Sequence, residues 1–196
     1  MMTTVYWMTY LKIESRTIRA VLCVAMLLLC QTSKAADTGL LAAEKMLDAF
    51  YSFDQIALAE SLVPGDDADR VLYYQAWAQA ANYRIKTRRP CVVNEDAAIQ
   101  CAITVFDDFG ETLDYIATDT FYLIIKDNKI IAARFEGDDP LIFSVLYVWM
   151  MVFRSELLDG PCKNMFEGGD TPAECSKGVV HAARDFVDVF YFWLSD

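Results

Sequence analysis

Apolar positions recur at helical spacing in the first part of this chain, alternate in the middle, and run almost unbroken near its end. In residues 38–53, Leu40, Ala43, Leu47 and Phe50 share one helical stripe with Met46 and Phe53 beside it, behind Asp37 or Thr38 as a cap, which predicts an amphipathic helix. A shorter helix follows, with Asp54 as its cap, Ile56, Ala59, Leu62 and Val63 as its face, and Pro64-Gly65 as its stop. A third is expected from about Asp67 to Arg84, where Leu72, Ala76, Ala80 and Tyr83 repeat and Tyr73 and Trp77 adjoin them. Three helices with apolar faces need a flat surface to cover them.

That surface is expected next. Residues 91–94, 99–107, 113–126 and 129–137 are rich in Val, Ile, Thr, Phe and Tyr, with turns at 107–110 and at the tight-hairpin dipeptide Asp127-Asn128. Beyond Asp138-Asp139-Pro140 come two strongly apolar stretches, 141–153 and 179–194, each shorter than the ~20 residues of a bilayer-spanning helix and therefore read as buried helices. Helices followed by a meander of antiparallel strands define an α+β protein with its N-terminal helices packed on a curved antiparallel sheet and additional C-terminal helices.

The amino end has a different pattern. Arg16 and Arg19 precede the apolar run AVLCVAMLLLC at residues 20–30, then a polar Gln31-Thr32-Ser33-Lys34 and Ala35-Ala36, the order of a secretory signal. Cleavage after Ala35 makes residues 1–35 a signal peptide and 36–196 a single exported domain, periplasmic or secreted, with no transmembrane anchor. The whole chain carries a net charge of -11, and the segment removed is basic, so the mature domain is more acidic still. A chain of that charge lacks the basic footprint that phosphate backbones require, which excludes nucleic acid as a partner.

Cysteine usage agrees with export. Cys23 and Cys30 leave with the signal, whereas Cys91, Cys101, Cys162 and Cys175 remain, an even number that allows three pairings. A hairpin with arms 91–94 and 99–101 sets Cys91 opposite Cys101, within disulfide reach, and leaves Cys162 with Cys175 to close the loop GPCKNMFEGGDTPAEC. No close cysteine pair exists and the single His, His181, lies far along the chain, so no metal site is expected. No cofactor motif is present either.

The segments LLAAEKMLDAFYSFDQIALAESLV, VLYYQAWAQAANY and DTFYLIIKDNKIIAARFEGDDP together resemble the nuclear transport factor 2-like, or SnoaL-like, superfamily, the cone-shaped α+β fold shared by ketosteroid isomerase, scytalone dehydratase and limonene epoxide hydrolase. The resemblance covers roughly residues 38–140. It implies a conical pocket between helices and sheet and a homodimer through the sheet's outer face. The C-terminal part departs from the compact catalytic members and is expected to be a helical lid or an elaboration.

Within that frame, a two-residue loop at Asp127-Asn128 with strict alternation sets Asp119 opposite Glu136 and Phe121 opposite Arg134. Two carboxylates and a guanidinium would then meet at one end of an apolar face, and Asp119, Glu136 and Arg134 are the catalytic candidates. The alternative is an ion pair at the sheet's rim, and the face could equally be the outer one, because Tyr122, Ile124, Ile131, Ala133 and Phe135 on the reverse are also apolar. Limonene epoxide hydrolase has an Arg two residues before its strand Asp, where this chain has Ala117. Tyr74, Trp77, Phe121 and Leu123 are the expected walls of a ligand pocket. Three functions follow: a non-catalytic pocket protein for a small apolar ligand; a lyase, isomerase or hydrolase using the pocket carboxylates; and an interaction module docking through its apolar C-terminal helices.

Overall fold

A computed structural model describes residues 38–194 of the chain, with side chains as far as Val189. The expected signal peptide and its cleavage after Ala35 lie outside the described residues. The order is α1 (residues 38–51), α2 (Gln55–Ser61), α3 (Asp66–Ala80), β1 (Arg84–Arg88), β2 (Val92–Val93), β3 (Ile99–Phe106), α4 (Asp108–Leu113), β4 (Ala117–Lys126), β5 (Lys129–Gly137), α5 (Leu141–Phe153), α6 (Ser155–Asp159) and α7 (Pro172–Leu194). The protein is α+β, built on an open antiparallel five-stranded sheet ordered β1-β3-β4-β5, with β2 also paired to β3.

The apolar stripe of α1 is buried as its spacing demands, with Ala43, Met46, Leu47 and Phe50 all inside. The helix stops in a Schellman-type turn: Phe53 takes a left-handed φ of 59° and the Asp54 amide reaches back to the Ala49 carbonyl at 3.0 Å. Buried Gln75 of α3 donates to that same carbonyl at 3.0 Å, so the end of α1 is tied to α3. Asp54 then caps α2 by accepting from the Ala57 amide at 3.0 Å. The buried face of α2 is Leu58 with Leu62 just after it, whereas Ile56 is 75% exposed. The two leucines are one helical turn apart and reach the sheet, where Leu62 bridges Ile130.

Helix α3 has apolar residues on more than one side because it is packed on more than one side. Ala68, Val71 and Ala78 join the core under the sheet with Phe50, Ile103, Phe121 and Leu123. Tyr73 joins a second core made by Phe109, Leu146, Met150, Val179 and Phe186 of the later helices. Both expected disulfides are present. Cys91–Cys101 has Cα atoms 4.3 Å apart beside the register Val92↔Gln100, and Cys162–Cys175 has them 4.7 Å apart, closing the loop between α6 and α7.

Several elements differ from the sequence expectation, the short α6 among them. Helix α3 ends at Ala80, and Arg84–Arg88 forms an edge strand whose side chains are nearly all exposed, so it carries no alternation to read. The segment expected to open a strand at Leu113 is instead the end of α4. Asp107 caps this short helix by accepting from the Gly110 amide at 2.5 Å, and Asp114 closes it in a left-handed conformation with φ 57°. Gly110 is required there because a Cβ would meet the Tyr115 carbonyl oxygen at 2.6 Å. The last helix begins at Pro172, a full two turns before the apolar run that announced it. Among the described residues no helix is long and apolar enough to cross a membrane.

Candidate functional site

The alternation of β4 puts Asp119, Phe121 and Leu123 on the face that packs against α1 and α3, and Asp119 is therefore a carboxyl at the end of an apolar row, 3% exposed. Its Oδ2 accepts a hydrogen bond from the Tyr51 hydroxyl of α1 at 2.8 Å. Its Oδ1 takes no hydrogen bond among the described residues. Burial pushes the Asp119 carboxyl up to about 7; the Tyr51 hydrogen bond opposes this, while the charges of Asp139, Asp107 and Asp138 add to it.

Asp119 lines a cavity of about 240 Å³ between α3, the ends of β3, β4 and β5, and the start of α5. Two more carboxyls line it. Asp107, the cap of α4, is 7% exposed, and burial raises it to about 6 against the opposing hydrogen bonds from Gly110 and Tyr83. Asp139 stands at the solvent-exposed rim after β5, raised by partial desolvation and then by Asp138. Tyr83 and Tyr115 complete the polar lining, their phenols held above the ordinary range first by burial and then by the surrounding aspartates. The remaining walls are mainly aromatic, with Tyr74 and Trp77 from α3, Phe109, Phe135, Phe143 and Phe166 joined by smaller apolar residues such as Ala78 and Val105.

The loop bridged by Cys162–Cys175 contributes to this enclosure. It carries Met165 and Phe166 to the cavity, and the Tyr74 hydroxyl donates to the Phe166 carbonyl at 3.2 Å. The C-terminal segment thus supplies part of the wall, while α5 leaves Leu141, Val148, Met151 and Val152 more than half exposed.

Of the four residues expected to form ligand walls, Tyr74 and Trp77 line the cavity. Phe121 and Leu123 do not, because both are fully buried in the core beneath it. The expected grouping of Asp119 with Arg134 and Glu136 is corrected. The hairpin turns at Asp127-Asn128 as expected, with Lys126 opposite Lys129 and Ile125 opposite Ile130, but Ile124 then pairs with Ala132. Ile131 is the extra residue of a β-bulge, and one extra residue transposes every later side chain of β5 to the other face. Asp119 consequently faces Gly137 and Phe121 faces Phe135, while Arg134 and Glu136 pair with Tyr122 and Thr120 on the opposite side of the sheet. There the two form an exposed ion pair with the Arg134 guanidinium 4.1 Å above the Tyr122 ring. Replacing Arg134 by Met is expected to change unfolding free energy by at most about 1 kcal/mol, with no distinctive dependence on pH between 5 and 8. Denaturant titrations at several pH values read this directly, and a larger, pH-dependent loss would return Arg134 to the cavity.

The sequence reading missed Asp107, Asp139, Tyr83 and Tyr115 as site residues. By sequence Asp107 and Asp139 mark only a turn and a break, although an Asp just before a short apolar segment is also the signal of a helix cap. Nothing local marks either as a cavity carboxyl.

Among the described residues no group of three or more His, Cys, Asp or Glu side chains is placed to hold a metal ion. The fold and site therefore define a disulfide-bonded α+β protein with an aromatic cavity containing carboxyls of raised proton affinity. No protein-family model, no curated protein and no solved structure matches the chain.

Proposed function

We propose that this is an exported binding protein whose cavity takes a small, largely apolar molecule, in a pocket of the nuclear transport factor 2-like kind. The observation that carries the reading is the cavity itself. At about 240 Å³ it exceeds the roughly 150 Å³ that admits benzene in an apolar core and falls short of the ~300–1,000 Å³ pockets of drug-sized ligands, so a one- or two-ring compound is the matching size. Aromatic walls supply apolar contact and a few convergent polar groups fix orientation, the general composition of small-molecule sites. The two disulfides support an oxidising compartment, as the leader sequence does. Asp119, with its proton affinity near neutrality, supports a second reading of the same cavity as an acid–base enzyme of the isomerase or lyase type.

Native mass spectrometry of the protein purified from its own compartment tests the binding reading. The expected result is an added small-molecule mass that Trp77→Ala loses while staying folded. A bare chain that also fails to take up any of naphthylmethylamine, naphthylmethanol and naphthoate in titration would overturn it.

A further inference from the structure

We propose that the ligand of this cavity is an organic cation, an amine carried on an aromatic or aliphatic body, a specification that rests on the pocket reading above. Three observations converge on it. The first is charge: Asp107, Asp119 and Asp139 line the cavity, and among the described residues no Lys, Arg or His lines it. The groups that face Asp119 are Tyr51 from α1, Asp107 at the end of β3, Asp138 and Asp139 after β5, and the phenols of Tyr83 and Tyr115, none of them a cation.

The second is an unfilled position. Asp119 is 3% exposed and spends Oδ2 on Tyr51, while Oδ1 accepts nothing from the described residues. A buried carboxylate is costly without a cation or further donors, and the neighbouring arginines are engaged elsewhere. Arg88 is paired with Glu44 and Asp48, Arg84 with Glu111, and Arg134 with Glu136 across the sheet. What neutralises this carboxyl is therefore either a proton or a cation that enters the cavity.

The third is the wall. Tyr74, Trp77, Phe109, Phe135 and Phe143 present aromatic rings to the cavity, and the negative faces of such rings attract an ammonium group as well as the hydrocarbon attached to it. A carboxylate ligand meets repulsion from the same groups that draw an amine. The raised proton affinities of Asp119 and Asp107 fit a site whose cation is supplied from outside.

The test is calorimetric titration of the intact mature protein at pH 8 with three probes of one shape: naphthylmethylamine, naphthylmethanol and naphthoate. The amine is expected to bind at least about tenfold more tightly than the alcohol, and the carboxylate more weakly than either. At pH 5, where Asp119 and Asp107 hold protons and the amine keeps its charge, that advantage should shrink. Asp119→Asn should remove most of it at pH 8 without weakening the alcohol, and Asp107→Asn serves as a second isosteric variant should the first fail to fold. An amine that binds no better than the alcohol overturns the cation assignment and leaves the pocket reading standing. Failure of all three probes to bind overturns both.

Discussion

Phe121→Ala is expected to lower the unfolding free energy by about 3–5 kcal/mol, a large share of the ~5–15 kcal/mol that holds a typical domain together. Phe121 is fully buried in the middle of β4, directly opposite Cys101 on β3 and Phe135 on β5. Its ring meets Phe50 edge-on at 5.2 Å and Phe135 at 5.0 Å between centroids, so truncation removes contacts to α1 and to two strands together. The surrounding side chains come from regular elements on both sides of the ring, which limits how far the hole can collapse. Ile124, three residues along on the other face and 41% exposed, provides the comparison: Ile124→Ala should cost less than about 1 kcal/mol. Equilibrium denaturant titration of both variants decides the point. Equal costs, or the larger cost at Ile124, would show that the faces of β4 are the reverse of those described.

The second large effect is on the pH dependence of stability. Asp119 holds its proton up to about 7 in the folded protein, against an ordinary aspartate value of about 3.9 in the unfolded chain. Between these values the folded state binds the proton that the unfolded state has released, so raising the pH draws the equilibrium toward unfolding. The contribution is complete below about pH 4 and lost as pH rises through about 7, for a total of about 4 kcal/mol at one pKa unit per ~1.4 kcal/mol. Asp119→Asn keeps an acceptor for the Tyr51 hydroxyl and has nothing to titrate, so its stability should fall less steeply over that range. Asp107, raised to about 6, leaves a residual slope of the same sign in both proteins, and Asp139 adds little because it is exposed to solvent at the rim. Unfolding midpoints measured from pH 4 to pH 8 for parent and variant give the difference. Parallel curves would mean that Asp119 titrates as a solvated carboxylate and would remove it from the buried site.

The resemblance to the nuclear transport factor 2-like superfamily accounts for the expectation of a pocket between helices and sheet, and Tyr74 and Trp77, read as ligand walls, do line the cavity. It did not identify the cavity's carboxyls. Those expected from strand pairing were Asp119 and Glu136, of which the cavity contains only the first; Asp107 and Asp139 take the remaining places. Helix α5 illustrates a different limit. Its bounds, Leu141–Phe153, coincide with the apolar run in the sequence, yet only Leu146 and Met150 are buried. A run apolar all round indicates a helix without saying which side is covered, and that depends on α7 and on Phe109 of α4.

What the sequence determined by itself was whatever short-range chemistry decides. The stripe of α1, the cap at Asp54, the tight turn at Asp127-Asn128 and the facing of Cys91 and Cys101 each depend on residues a few positions apart, and each is found in the structure. The tertiary structure alone decided which side chains share a face and which share a cavity. One unpaired residue, Ile131, moves Arg134 and Glu136 across the sheet from Asp119, and a strand with apolar residues on both faces carries no pattern to locate such a bulge. Asp107 and Asp139 meet Asp119 only because α4 and the start of α5 fold over the ends of β3, β4 and β5. The burial that raises the proton affinity of Asp119 is likewise supplied by segments distant in the chain, and so is written in no local pattern.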